Sequence, residues 1–149
     1  MVIGEAPGAS EDASGKPFCG AAGDFLDELL EREGLSRGTI FLTSSVKCRP
    51  PGNRRPRADE LETCREAWLL SQIEVIDPDL IILFGRTPVR QLLKERAPLR
   101  DVHGRTTRRN GRTVMATYHP AAGMRFPEIG EHMRRDLAAL RRIRGRSSA

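Results

Sequence analysis

Lysine is scarce in this sequence. It stands only at positions 16, 47 and 94, so arginine carries nearly all of the positive charge that leaves the chain at +5 with a pI near 9.7. Guanidinium forks match phosphate oxygens. The arginines cluster at Arg49, Arg54, Arg55 and Arg57, and again at Arg100, Arg105, Arg108, Arg109 and Arg112. Both clusters fall in segments that read as loops, where a polyanion could reach them; a solvated arginine-rich surface with no partner would have the same composition. Cysteine occurs only at 19, 48 and 64, an odd number with no secretory signal ahead of it, which argues for thiols or metal ligands over a disulfide framework. No apolar run approaches the roughly 18 residues of a membrane span, and nothing at the N-terminus reads as a signal peptide. The expectation is a cytoplasmic protein with no membrane partner. Both the P-loop lysine pattern and the dinucleotide fingerprint are missing, which weighs against a nucleotide-binding α/β enzyme.

What is present suits one soluble domain. A chain of 149 residues with 38% apolar and 30% charged content can bury about two-thirds of its unfolded surface and needs no staples. We expect a single domain over residues 1–143, a basic disordered tail over 144–149, and a monomer.

Strand and helix patterns alternate along the chain. Met1-Val2-Ile3 reads as the end of a buried strand, and Gly4-Glu5-Ala6-Pro7-Gly8 after it forces a sharp turn whose backbone N–H groups have no ladder partners. Ser10 to Cys19 is rich in small residues and reads as irregular. Ala22, Phe25, Leu26, Leu29 and Leu30 then form one helical stripe that stops at Gly34. Thr39 to Ser45 reads as a second strand. The three prolines of Lys47 to Pro56 exclude regular structure. Leu61, Cys64, Trp68, Leu69, Ile73 and Ile76 mark a second amphipathic helix, and Leu80 to Phe84 is a run suited to a central strand buried on both faces. Thr87-Pro88 reads as an N-cap followed by proline at the first helical position, with Val89, Leu92 and Leu93 on the buried side of the helix. After a basic, loop-like stretch from Arg100 to Gly111, Thr113 to Tyr118 reads as a fourth strand. Ile129, Met133, Leu137, Leu140 and Ile143 mark a last helix.

Four strands alternating with helices predict a three-layer α/β/α sandwich around a mostly parallel four-stranded sheet. Ligands of such sheets sit outside the carboxyl ends of the strands. The sequences leaving those ends are GEAPG, SSVKCRPP, FGR and YHPAA, so these loops should converge.

In order along the chain, GEAPGASED, GKPFCGAAG, VKCRPPGNRRP with a cysteine 16 positions after Cys48, LFGRTP and TYHPAA resemble the uracil-DNA glycosylase superfamily. The resemblance is to family 4, the iron-sulfur uracil-DNA glycosylases of thermophilic bacteria and archaea, and covers about residues 2–143. It implies an enzyme that flips a deaminated base, uracil first among them, out of DNA and hydrolyses its N-glycosidic bond for base-excision repair. By the same resemblance Glu5 and His119 would be catalytic, Glu5 positioning water or stabilising the oxocarbenium and His119 donating to the base oxygen on which charge develops. Gly4, Ala6 and Gly8 would contact the base edge, Phe18 would stack on the base, and Ser44 would occupy the base-reading position. Lys47, Arg49, Arg54 and Arg55 would contact phosphates. Met124, with Arg125 and Phe126 beside it, would wedge into the duplex from a loop that Gly123 makes pliable. His103 and His132 lack such context and read as surface residues.

Two departures from the family bear on function. The family pattern TNxVKC places an asparagine where this chain has Ser44, and a hydroxyl cannot supply both the donor and the acceptor of an amide; a shifted base preference is therefore an open alternative. Cys48 and Cys64 match the later two of the four cysteines that hold the family's 4Fe-4S cluster, while the earlier two belong upstream of the first strand, where this chain begins, so an incomplete cluster site is expected. No lysine stands where a Schiff-base lyase would need one, which implies a monofunctional glycosylase. Residues 47–60 contain no histidine, which excludes the covalent crosslink of a related group. The rival from another class is a non-catalytic damaged-DNA-binding relative.

Overall fold

A computed structural model describes residues 1–147. Its centre is a five-stranded sheet of order β2-β1-β3-β5-β4, made of β1 (Val2–Gly4), β2 (Leu42–Ser44), β3 (Leu80–Phe84), β4 (Thr106–Arg109) and β5 (Arg112–Thr117). The first four strands in this order are parallel, and β4 pairs antiparallel with β5. The expected α/β class holds, with one strand more than the four anticipated. Asn110 and Gly111, at φ 47° and 79°, make the tight turn that folds Arg105 to Arg112 into a hairpin instead of a loop, and the start of the loop-like stretch from Arg100 is taken by the short helix α6 (Leu99–Val102).

Alternation along the strands divides the core in two. Val2, Ile82, Phe84 and Met115 face one side, against Leu26, Leu29 and Leu30 of α2 (Ala21–Arg32), Met133 and Leu137 of α8 (Pro127–Ala138) and Leu140 of α9 (Leu140–Ser147). Ile3, Ile81, Leu83, Val114 and Ala116 face the other side, against Leu69, Ile73, Val89 and Leu92. Burial on both faces is why β3 reads as an unbroken apolar run.

Several local expectations need correction. The segment from Ser10 is not wholly irregular: α1 (Ala9–Ser14) forms there, because the Glu11 carboxylate accepts the Gly8 N–H at 3.0 Å and Gly15, at φ 70°, ends the turn. The second strand is shorter than Thr39 to Ser45, since the Thr39 hydroxyl donates to Ser36 O at 3.0 Å and closes a 3₁₀ turn over Arg37–Thr39. The second helix starts as α3 (Ala58–Cys64), passes through a π-helical stretch (Arg65–Leu69) and ends as α4 (Leu70–Ile76). Its wider turn slips the 3.6-residue period. Leu69 therefore enters the core while Trp68 stays 59% exposed and Ile76 41% exposed. Helix α9 continues to Ser147, where a tail was expected from Arg144; 148–149 lie outside the described residues. No helix among the described residues is long and apolar enough to cross a membrane.

Candidate active site

The loops leaving β1, β2 and β5 meet at one edge of the sheet. A cavity of about 460 Å³ opens there, and its lining includes Gly4, Glu5, Ala6, Gly8, Phe18, Ser44, Lys47 and His119. The volume lies within the usual range of small-ligand sites. The base-binding and catalytic residues expected from sequence are thus brought together.

His119 begins α7 (Pro120–Arg125), and its Nδ1 accepts the Ala121 N–H at 3.2 Å. The neutral ring then carries its proton on Nε2. Burial holds the imidazole below its ordinary pKa of 6.5, a shift that the Glu5 and Glu11 carboxylates oppose. Its ring is stacked with Phe18 at 6.0 Å and 24°. At the end of β1, Glu5 O accepts the Val46 N–H at 3.2 Å, and Gly4 O accepts both the Ser45 N–H at 2.9 Å and the Ser45 hydroxyl at 3.0 Å, which ties the first two loops together.

Phe18 is both core and wall. It is 8% exposed, packs edge-on against Phe84 at 6.2 Å, and lies over Gly4, where a Cβ would come within 2.6 Å of the ring. Its backbone is left-handed, at φ 50°, and is held from outside the motif. Arg37 donates to Pro17 O at 3.0 Å and also to Phe18 O, and a Cβ on Gly23 would lie 1.9 Å from Phe18 O.

Sequence reasoning missed these supports. A glycine inside an amphipathic helix was the available signal for Gly23. The capping spacing was the signal for Glu11, whose second oxygen accepts the Cys19 N–H at 3.0 Å. Nothing local announced Arg37, or the buried Gln91, whose amide donates to Ser45 O at 3.2 Å and Leu61 O at 2.8 Å. Thr87 is not an N-cap. Gly85 takes that place before α5 (Arg86–Pro88), and the Thr87 hydroxyl donates to Glu5 Oε2.

Other assignments change as well. Lys47 does not reach outward: its ammonium donates to Thr43 Oγ1 at 2.7 Å and Ser44 O at 2.6 Å, and burial brings its pKa down to about 8. Arg54 is locked in a fork with Glu60, at 2.8 and 2.6 Å, which with the Arg57 N–H holds the Glu60 carboxyl down to about 2. Arg49 donates to Asn53 at 2.7 Å, whereas Arg55 is exposed and its guanidinium is unpaired among the described residues. Met124 and Phe126 are each 46% exposed beside Arg125, whose guanidinium lies 5.5 Å over the Phe126 ring. Gly123 is not a hinge; it is buried where a Cβ would meet Met133 at 2.6 Å and Phe25 at 2.7 Å. His103 and His132 are only partly exposed, and His103 Nδ1 pairs with Asp136 at 2.9 Å.

Cys48 and Cys64 line one cavity of about 400 Å³ together with Asp59 and Glu60. Two thiols meet half of a four-thiolate requirement, and no group of three or more metal-ligating side chains forms among the described residues. The residues present do not fit a complete iron-sulfur cluster.

The decisive comparison is with a family model. The Uracil DNA glycosylase superfamily model matches residues 1–141. The chain belongs to this superfamily. Among its relatives, the type-4 uracil-DNA glycosylase of Pyrobaculum aerophilum is 42% identical over 146 residues, 93% of this chain and 74% of that protein. That of Archaeoglobus fulgidus is 37% identical over 154 residues, 98% of this chain and 77% of that protein. A type-5 uracil-DNA glycosylase of Pyrobaculum aerophilum is 31% identical over 138 residues, 81% of this chain and 60% of that protein. The type-4 proteins set the expectation for this superfamily member's chemistry.

Proposed function

We propose that the protein is a monofunctional DNA glycosylase that removes uracil from DNA. The observation that carries this reading is the meeting of Glu5, Phe18 and His119 around one cavity at the carboxyl edge of the sheet. The target nucleotide leaves the stack and its base enters the cavity, against Phe18. As the C1′–N1 bond breaks, its electron pair departs with the base. His119 Nε2–H donates to the base oxygen on which that charge develops. Glu5 faces the cationic sugar and orients the water whose oxygen bonds to C1′. The water's proton passes to the Glu5 carboxylate and on to solvent, the departed base anion takes up a proton from solvent, and the products are free base and an abasic sugar.

Ser44 bears on which base is chosen. Its hydroxyl is committed to Val46 O at 2.6 Å, so toward a base it offers only lone pairs. This supports a looser base preference than an amide would give. For DNA contact, Arg49 and Arg55 would touch phosphates and Met124 and Arg125 would approach the gap left by the flipped base. Lys47 and Arg54 hold the loops from which these contacts are made. The reading includes a monomer working in the cytoplasm at the nucleoid.

The test is base release from single-stranded and duplex oligonucleotides carrying one uracil, hypoxanthine or xanthine, scored as alkali-labile sites, with His119→Ala as control. Uracil release lost in the variant supports the proposal. Release of another base alone would move the specificity, and binding without any release would favour a damage-binding protein.

A further inference from the structure

Glu5 is held by a residue from a different loop. Thr87 lies 82 positions away in sequence, in the first turn after β3, and its hydroxyl donates to Glu5 Oε2. Gly85, at φ 93°, turns the chain at the end of β3 so that this hydroxyl reaches the β1 loop; its N–H donates to Thr117 O at 2.9 Å, and a Cβ there would lie 3.5 Å from His119 Cβ. The turn after β3 is thereby fastened to Thr117, the last residue of β5 and two positions before His119, while its threonine grips Glu5. Among the described residues Glu5 Oε1 has no side-chain or backbone partner.

We propose that Thr87 is a positioning residue for base release, fixing the Glu5 carboxylate through Oε2 so that Oε1 is the oxygen presented to the sugar and its water. A carboxylate on a loop with two glycines and a proline has rotamer freedom that a single hydroxyl donor removes, and a hydrogen bond to a charged group is among the stronger ones. The donor keeps the proton it shares, so no proton transfer is assigned to Thr87. This inference rests on the reading of Glu5 as the catalytic carboxylate.

The experiment is steady-state and single-turnover uracil release by Thr87→Val, Thr87→Ser, Glu5→Gln and the Thr87→Val, Glu5→Gln double variant. Valine keeps the shape and removes the hydroxyl; serine keeps the hydroxyl. The expected result is a kcat lowered about tenfold to hundredfold in Thr87→Val with KM changed less than about twofold, near-parental turnover in Thr87→Ser, and no further loss from Thr87→Val once Glu5 is glutamine. Equal losses from Thr87→Val with and without the Glu5 carboxylate would overturn the proposal, because the threonine would then act through the fold. So would an unimpaired Thr87→Val beside an inactive Glu5→Gln. A fully active Glu5→Gln carries a different signature and would overturn the reading of Glu5 itself.

Discussion

His119 accepts the amide N–H of Ala121 at Nδ1, 3.2 Å away, and so keeps its own proton on the nitrogen that is free to meet the base. Burial lowers its pKa from 6.5, so the neutral ring predominates at pH 7 and persists to a lower pH than in a free histidine. Base release should decline toward acid as the imidazole gains a second proton, with a midpoint below 6.5. A pH–rate profile checks this: a rate that climbs toward acid would mean that an imidazolium does the work. Removing the donor in His119→Ala should cost about two to three decades in rate. The linkage has a definite sign. The unfolded histidine binds its proton at a higher pH than the folded one, so the contribution to stability is complete above 6.5 and is lost as pH falls through the folded pKa.

Gly4 and Gly23 both leave room for Phe18, with different consequences. A Cβ on Gly4 meets the far end of the ring at 2.6 Å, which can swing away, so Gly4→Ala should cut base release at least about tenfold while the fold holds. A Cβ on Gly23 meets the Phe18 carbonyl oxygen at 1.9 Å, and backbone cannot yield so cheaply. Gly23→Ala should cost about 2 kcal/mol or more, lowering the melting temperature by roughly 4–8 °C. Calorimetry and the release assay, run on both variants, separate the two effects.

Ser44→Asn should sharpen base choice. An amide restores a donor and an acceptor at a position where the present hydroxyl is spent on Val46 O. Discrimination of uracil over hypoxanthine, measured as a ratio of kcat/KM, should rise by about tenfold, within the roughly 1–3 kcal/mol of a bidentate base contact. An unchanged ratio would show that the cavity selects by shape.

Arg55 and Arg54 are neighbours with separate duties. The free Arg55 should contribute to the salt dependence of DNA binding, so Arg55→Ala lowers affinity and reduces the slope of log K against log salt by about one. Arg54 is spent on Glu60; Arg54→Ala should raise the Glu60 pKa from about 2 toward the ordinary carboxylate range and leave that slope nearly unchanged. The Glu60 contribution to stability is present above pH 4.5 and is lost as the carboxyl protonates toward pH 2. Binding titrations at several salt concentrations decide the first point, and the carboxyl chemical shift decides the second.

Sheet and cavity were legible in the sequence because period and turn chemistry are local. The apolar run Leu80 to Phe84, the stripe through Leu26, Leu29 and Leu30, and the polar loops after the strands place Glu5, Ser44 and His119 on one edge with no knowledge of contacts. The role of Thr87 was not legible, since a threonine before a proline looks like a cap and its carboxylate partner is 82 residues distant. Trp68 was misread because a π-helical turn slips the period without any residue that announces it. Lys47 and Arg54 illustrate a further limit: composition counts positive charges, but only packing tells which are already spoken for by Thr43, Ser44 and Glu60.

The hairpin of β4 and β5 also offers a handle. Its turn precedes the strand whose far end carries His119, and the six residues of β5 at about 3.3 Å each put Asn110 and Gly111 roughly 20 Å from the cavity edge. A fluorophore or fused module attached there would ride on the side of the molecule turned away from the substrate, leaving the chemistry free while the enzyme is tracked or tethered.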